Sequence, residues 1–161
     1  MKTLILYYSY GGNTRGVAQR IQKGLGCDIA EIKTVTPYSA SYDAVVEQGQ
    51  QEVNSGYKPA IQPLAVNPED YDTILLGMPV WWYTFAPAVN TVLSTVDLSG
   101  KTIYPFATNG GWIGHTFKDV AHTCAGARVK QGLNIAFDGN RQGTPDADVT
   151  AWVEQIIREN A

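Results

Sequence analysis

Apolar and polar residues follow two kinds of pattern along the chain. Continuous apolar runs occupy residues 4–8 and 73–78, as is typical of strands that are buried on both faces. Elsewhere apolar residues recur at every third or fourth position, which indicates helices with one buried face. The first such stripe contains Val17, Ala18, Ile21 and Leu25. The chain is therefore predicted to begin with a strand, a tight loop and a helix.

Four further units repeat this order. The remaining strands are predicted at residues 28–33, 73–78, 102–108 and 133–137. The remaining helical stripes are Tyr42, Val45, Val46, Gly49 and Val53; Val89, Val92, Leu93 and Val96; Phe117, Val120, Ala121 and Cys124; and Val149, Trp152, Val153, Ile156 and Ile157. Five strands that alternate with five helices predict the doubly wound α/β class, with a five-stranded parallel sheet and helices on both faces.

One residue conflicts with this assignment. Pro105 lies inside the fourth predicted strand, and proline lacks the N–H group that a ladder hydrogen bond requires. We therefore expect a bulge or a strand shift at this position.

Length and charge limit the classes of function. The chain has 161 residues, of which 44% are hydrophobic and 17% charged, so residues 1–161 are expected to form a single globular domain. The net charge of −3 provides no basic surface, and nucleic acid is therefore not expected as a partner. Cys27 and Cys124 form no C-x-x-C pattern and are predicted to be buried thiols in a reducing compartment, rather than a disulfide.

The sequence also argues against a membrane protein. No charged residue occurs between Asp72 and Asp97, but Gly77, Pro79 and Pro87 interrupt this segment, so a membrane-spanning helix is not expected. The apolar run near the beginning of the chain is too short for a secretory signal, and a cytoplasmic location is predicted.

The loop after the first strand has the composition of an anion site. It reads "SYGGNT", and the two glycines allow the backbone to approach a ligand closely. Such a loop directs backbone N–H groups and the helix dipole at one point. Ser9, Asn13 and Thr14 add neutral donors, and neither the Walker A nor the dinucleotide pattern is present. A single phosphate group is the predicted ligand, and an ordinary capped turn is the alternative.

Two other loops are expected beside it, because the carboxyl ends of parallel strands share one edge of the sheet. The loop after the third strand reads "PVWWYTFAP", and the loop after the fourth reads "TNGGWIG". The clustered aromatic residues follow neither a helical nor a strand period, so they are predicted to hold a flat ring. Packing of these rings in the core is the alternative interpretation.

In element order and in all three loops the sequence resembles the flavodoxins. The resemblance implies strand order 2-1-3-4-5 and FMN as a non-covalently bound cofactor. By it, the phosphate would be held by Ser9, Tyr10, Gly11, Gly12, Asn13 and Thr14, where Gly11 replaces the central threonine of the family motif. The flavin ring would contact Pro79, Val80, Trp81, Trp82, Tyr83, Thr108, Asn109, Gly110, Gly111, Trp112 and Gly114.

The resemblance implies electron transfer through the flavin to a redox partner protein. Either a monomer or a homodimer is expected, the aromatic loops being the surface that would support a dimer. Two alternatives stay open. The first is an FMN-dependent enzyme that oxidises NAD(P)H or reduces a small quinone-like substrate, and the low net charge favours it because many flavodoxins are strongly acidic. The second is a module that binds FMN without redox function.

The ring loops depart from the family pattern at one position. Flavodoxins commonly have a flexible residue, often glycine, after the aromatic residue that stacks on the flavin. This chain has Trp82 there, and a left-handed backbone costs about 1–2 kcal/mol more at a residue with a Cβ than at glycine. A left-handed conformation at Trp82 is therefore expected to be disfavoured.

Charged residues near the loops suggest two further roles. His115, Asp119 and His122 are spaced to lie on one helical face, but three such residues without a fourth ligand do not predict a metal site. His115 is also placed to donate to a flavin or a substrate. Arg15 directly follows the phosphate loop and is interpreted as a solvated cation rather than a phosphate ligand.

Overall fold

Strands and helices alternate along the chain in the order that the apolar pattern predicts. The computed structural model describes residues 2–161. Its helices are α1 (Asn13–Leu25), α2 (Tyr42–Ser55), α3 (Pro87–Thr95), α4 (Thr116–Thr123) and α5 (Asp146–Glu159), with a short 3-10 helix at Pro68–Asp70. Its strands are β1 (Thr3–Tyr8), β2 (Asp28–Ile32), β3 (Thr73–Trp81), β4 (Thr84–Phe85), β5 (Thr102–Asn109), β6 (Arg128–Val129), β7 (Leu133–Asp138) and β8 (Arg141–Gln142).

The five long strands form a parallel sheet in the order β2-β1-β3-β5-β7. Counted among themselves, they have the predicted order 2-1-3-4-5. The predicted count of five is wrong for the whole sheet, because β4, β6 and β8 each add two residues. β4 and β8 pair antiparallel with β3 and β7, and β6 pairs parallel with β5. Two residues are too few to show a periodicity, so the apolar pattern could not reveal these strands.

Both faces of the sheet are covered. Successive residues of a strand point to opposite faces, so Leu4 and Leu6 of β1 belong to one apolar core and Ile5 and Tyr7 to the other. Side chains of α3 and α4 complete the first core, and those of α1 and α5 complete the second. Burial on both faces explains why the long strands consist of continuous apolar runs. No helix within residues 2–161 has both the length and the apolar character needed to span a membrane.

A change of neighbouring strand accommodates Pro105. On one side Pro105 pairs with Leu76 of β3. On the other side, the pairing of β5 with β6 ends at Ile103, and its pairing with β7 begins only at Phe106. The carbonyl oxygen of Ile103 accepts a hydrogen bond from the N–H of Lys130 (2.8 Å). Because backbone groups alternate in direction along a strand, the nitrogen of Pro105 points to this same side, where the ladder is interrupted. The missing N–H therefore removes no ladder hydrogen bond.

The segment predicted as a loop after the third strand is instead a tight β-hairpin. β3 runs three residues beyond its predicted end, and Val80 and Trp81 pair with Phe85 and Thr84 of β4. Only Trp82 and Tyr83 remain in the turn. The Asn-Gly or Asp-Gly dipeptide that normally marks a two-residue hairpin loop is absent here, so no local pattern predicted the hairpin.

Candidate functional site

The structure brings the three predicted loops to one edge of the sheet. β1, β3 and β5 are parallel neighbours, so the loops that follow them begin side by side. Pro79 pairs with Thr108 near the ends of β3 and β5. All the residues predicted to bind a ligand lie on these strand ends or in the segments that follow them.

The backbone of the phosphate loop forms an open cradle. Gly11 and Gly12 have φ angles of 81° and 99°, which favour glycine, and a Cβ at either residue would have no atom within 4 Å. No acceptor among residues 2–161 takes the N–H groups of Gly11, Gly12, Asn13 or Thr14. These groups lie at the start of α1, where the helix dipole is positive. The loop thus offers several backbone donors to one small anion.

Most side chains of this loop bind other parts of the protein instead. The Asn13 amide donates to the carbonyl oxygen of Gly139 (2.9 Å), and the hydroxyls of Thr14 and Thr108 share a buried hydrogen bond of 2.8 Å. Tyr10 donates its hydroxyl to the carbonyl of Ser39 (2.6 Å). These side chains fix the shape of the loop, and the anion donors are mainly backbone groups.

The remaining loop hydroxyl and the adjacent cation also have protein partners. The Ser9 hydroxyl oxygen accepts from the Arg15 N–H (3.1 Å), which leaves the hydroxyl proton of Ser9 free to donate. The Arg15 guanidinium lies 2.6 Å from the Glu31 carboxylate, and this hydrogen bond raises the Arg15 pKa. Arg15 is therefore an ion-pair partner of β2 rather than the freely solvated cation expected from the sequence.

The β3–β4 hairpin has an unusual backbone. Trp82 and Tyr83 have φ angles of 49° and 72°, and positive φ at both central residues is what a type I′ turn requires. This turn normally uses Asn and Gly, because a left-handed residue with a Cβ costs roughly 1–2 kcal/mol. The left-handed conformation that was expected to be disfavoured at Trp82 is thus adopted. Strain of this kind persists only where surrounding contacts hold it.

Three contacts hold the strained turn. The Trp82 indole N–H donates to the carbonyl oxygen of Val46 in α2 (2.8 Å), and the His115 N–H donates to the carbonyl oxygen of Tyr83 (2.8 Å). Gly114 lies so close that a Cβ there would be 2.3 Å from the Tyr83 carbonyl oxygen. Gly114 therefore joins the two ring loops through a backbone contact that no other residue permits.

The aromatic residues divide between packing and exposure. Trp81 has Tyr8, Tyr10 and Tyr38 around it, with ring centroids 6.0, 6.0 and 5.0 Å away and edge-to-face geometry. Trp81 is thus largely packed against other rings, as the core-packing interpretation predicts. The rings of Tyr83 and Trp112, by contrast, pair at 4.8 Å and are largely open to solvent.

A cleft of about 660 Å³ opens between these rings and α2. Predicted site residues supply most of its lining, namely Tyr10, Val80, Trp81, Trp82, Tyr83, Gly110, Gly111 and Trp112. The other lining residues come from α2 and were missed from the sequence: Tyr42, Val45, Val46 and Gly49. One signal was present, because glycine in the middle of a helical stripe often marks close packing. A Cβ on Gly49 would lie 3.3 Å from the Trp81 ring.

The third loop is ordered by its own side chains. The Asn109 side-chain oxygen accepts from the Gly111 N–H (2.9 Å), and its amide donates to Asn134 (2.5 Å). His115 is hydrogen-bonded to Asp119, which also accepts from the Thr84 hydroxyl (2.5 Å). No group of three or more potential metal ligands of the Cys, His, Asp or Glu type occurs in the described chain.

Comparison with known families identifies the family and the fold. A family model described as Flavodoxin matches residues 2–156. The chain belongs to the flavodoxin family. The comparison with curated proteins found no match.

Solved structures agree with this flavodoxin assignment. A chain from Bacteroides eggerthii DSM 20697, provisionally described as a flavoprotein, is 29% identical with a TM-score of 0.81; the alignment covers 97% of this flavodoxin and 98% of that chain. A flavoprotein from Lactobacillus acidophilus NCFM, solved in complex with FMN, is 25% identical with a TM-score of 0.74, covering 83% and 92%. A Fusobacterium nucleatum flavodoxin bound to flavin mononucleotide shares the fold at 14% identity and a TM-score of 0.59, covering 99% of both chains.

Proposed function

We propose that this flavodoxin binds FMN non-covalently at the carboxyl edge of its sheet and transfers electrons through it to a partner protein. Family membership supports the proposal, as does the similarity to a Lactobacillus acidophilus flavoprotein solved with FMN. The open backbone cradle suits the phosphate, and the aromatic cleft suits the ring.

One observation carries the proposal. Tyr10 belongs to the phosphate loop and also lines the aromatic cleft, so the cradle and the cleft are adjacent parts of one site. A ligand with a phosphate at one end and a flat ring at the other fits this arrangement. An ordinary capped turn does not predict an adjacent cleft with exposed aromatic rings.

The residues of the site have distinct tasks. Bound FMN supplies a ring that accepts and releases electrons. The N–H groups of residues 11–14 bind the phosphate, and the glycines keep the cradle open. Trp82 and Tyr83, held by Val46 and His115, shape one wall and exclude water from it. Tyr83 and Trp112 leave ring surface exposed at the mouth, where a partner protein can approach.

The first test is a titration of purified, flavin-free protein with FMN, followed by visible absorbance and tryptophan fluorescence. Quenching with a one-to-one endpoint is expected, because indole rings line the cleft. Riboflavin is the matched control, since it has the same ring without the phosphate, and it should bind at least about tenfold more weakly. Protein that ignores FMN would overturn the proposal.

A second measurement tests the electron-transfer part. The FMN-loaded protein, reduced by light and EDTA, is mixed with oxidised cytochrome c as a protein acceptor. Rapid reoxidation of the bound flavin at a rate proportional to cytochrome c concentration is expected. Bound FMN that cannot pass electrons to a protein acceptor would support the non-redox module instead.

A further inference from the structure

The aromatic cleft has a second wall that the flavin site does not require. By the family resemblance, the flavin ring belongs beside the hairpin and the loop after β5. A further wall, adjacent to the hairpin, is formed by Tyr42, Val45, Val46 and Gly49 of α2. The cleft therefore offers more surface than the two ring loops alone provide.

This wall is held rigidly in place. The Trp82 indole donates to Val46 in α2 (2.8 Å). The lack of a side chain at Gly49 lets Trp81 pack directly against the helix. The Ser41 hydroxyl accepts from the Ala44 N–H and caps the first turn of α2. A wall fixed at both the turn and the helix start is preformed for a ligand.

The chemistry of the cleft is aromatic and uncharged. None of its lining residues carries a charge. Around its mouth Tyr42, Tyr83 and Trp112 are 75%, 48% and 66% exposed, so half of the large hydrophobic side chains that the described chain exposes surround this one cleft. The hydroxyls of Tyr42 and Tyr83 and the indole N–H of Trp112 are neutral donors, and none of them has a hydrogen-bond partner within residues 2–161.

We propose that the α2 wall binds a second planar, uncharged ring molecule of the quinone class beside the flavin; this inference rests on the proposed FMN site. Flat aromatic walls match the ring, and neutral donors match its carbonyl oxygens. A nicotinamide dinucleotide fits poorly, because its phosphates would meet no cation in the cleft. The whole cleft measures about 660 Å³, within the range of small-molecule sites, and the flavin ring and the quinone would share it.

The proposal makes this flavodoxin a quinone reductase as well as a carrier. The quinone gains two electrons and two protons from fully reduced FMN, and the products are the hydroquinone and oxidised FMN. A reduced partner protein would then return two electrons to the bound FMN, with two protons taken up from solvent.

The test is calorimetric titration of the oxidised, FMN-loaded protein with menadione, an uncharged naphthoquinone. 1,2-Naphthoquinone-4-sulfonate serves as the anionic probe. We expect menadione to bind one-to-one and the sulfonate to bind at least about tenfold more weakly. Tyr42→Ala should weaken menadione binding about tenfold, because it removes one aromatic contact. Tyr57→Ala is the matched control, because Tyr57 is 51% exposed near the other end of α2 and does not line the cleft.

A substitution that adds a positive charge to the mouth of the cleft sharpens the test. Tyr42→Arg places a cation at the mouth and should shift the preference toward the sulfonate about tenfold, while Tyr57→Arg should not. FMN affinity, measured separately for every variant by flavin fluorescence, is expected to change less than about twofold with salt present. A Tyr42 variant that fails to fold would be recognised by its lost FMN binding, and Tyr42→Phe would then be tested against Tyr57→Phe.

Three outcomes would overturn the proposal. Menadione that binds only flavin-free protein, in competition with FMN, would mean that the cleft holds one ring. Equal effects of the Tyr42 and Tyr57 variants would place the quinone elsewhere. A dimer in sedimentation that Tyr42→Ala dissociates, without menadione binding, would assign the surface to a second copy of the chain. In all three cases FMN still binds, which separates this failure from failure of the proposed FMN site.

Discussion

The phosphate loop and the aromatic cleft lie at the same edge of the sheet but are built differently. The loop uses the backbone N–H groups of residues 11–14, and most of its side chains bind other parts of the protein. The cleft is lined by residues from α2, the β3–β4 hairpin, the loop after β5 and, through Tyr10, the phosphate loop. The donors of the loop are thus adjacent in sequence, whereas the cleft depends on how four separate segments pack.

Because of this difference, the loop and the cleft should be sensitive to substitutions at different places. A local backbone cradle is sensitive to a Cβ or a changed φ angle within the loop, but it tolerates changes elsewhere. A cleft assembled from distant segments is sensitive wherever those segments touch. The strained turn at Trp82 and Tyr83 is an example, because contacts with α2 and with the third loop hold it in place.

The largest effect is expected where the two ring loops touch. Gly114→Ala places a Cβ 2.3 Å from the Tyr83 carbonyl oxygen at a φ angle of 61°, so it should cost about 3 kcal/mol of unfolding free energy. Urea unfolding measures this. Gly26→Ala is the control: its φ angle of 65° is close to that of Gly114, but no atom lies within 4 Å of the added Cβ. Equal costs for both would disprove that the Gly114 contact locks the loops.

A second change separates the loop's support from its donors. Thr14→Val should cost about 2 kcal/mol, because it leaves the buried Thr108 hydroxyl without its partner. FMN affinity should change little, since the backbone N–H groups remain. In a double-mutant cycle, Thr14→Val with Thr108→Val should cost clearly less than the sum of the two single changes. Strict additivity would show that the hydrogen bond does not contribute to stability.

A smaller effect is expected from a change inside the cradle. Gly12→Ala should weaken FMN binding about tenfold, which equals about 1.4 kcal/mol, because alanine disfavours the φ angle of 99°. Riboflavin affinity should hardly change, since riboflavin lacks the phosphate. Gly100→Ala has a comparable φ angle of 77° outside the site and should leave FMN affinity intact. Equal losses for FMN and riboflavin would show that the glycine shapes the cleft rather than the cradle.

The smallest effect concerns the tyrosines packed around Trp81. Burial, followed by the hydrogen bond to Glu52, raises the pKa of Tyr38 above its usual 10.0. Stability from the neutral phenol is therefore present below pH 10 and lost as pH rises above it. Tyr38→Phe should reduce the slope with which the unfolding free energy falls as pH rises. The reduction should be less than the roughly 1.4 kcal/mol per pH unit that one proton allows, because Tyr38 is partly exposed. Urea unfolding between pH 8 and 11 measures the slope, and an unchanged slope would contradict the assignment.

Much of the fold could be predicted from apolar spacing. The five long strands and five helices are close to their predicted positions, because buried faces repeat with the periods of strand and helix. The failures occurred where no period exists. The two-residue strands β4, β6 and β8 are too short to show one, and Pro105 fits because its neighbouring strand is interrupted.

The same division holds for the candidate site. The sequence "SYGGNT" predicted the cradle, because its backbone donors are adjacent residues and its two glycines permit the backbone conformation. Only the tertiary structure decided that Trp82 and Tyr83 form a strained hairpin turn and that Tyr42 and Gly49 of α2 face them. A left-handed tryptophan is unfavourable in isolation, and the turn is held by contacts of Trp82 with Val46 and of Tyr83 with His115 and Gly114. Those partners are distant in sequence, and no local pattern records contacts that folding alone creates.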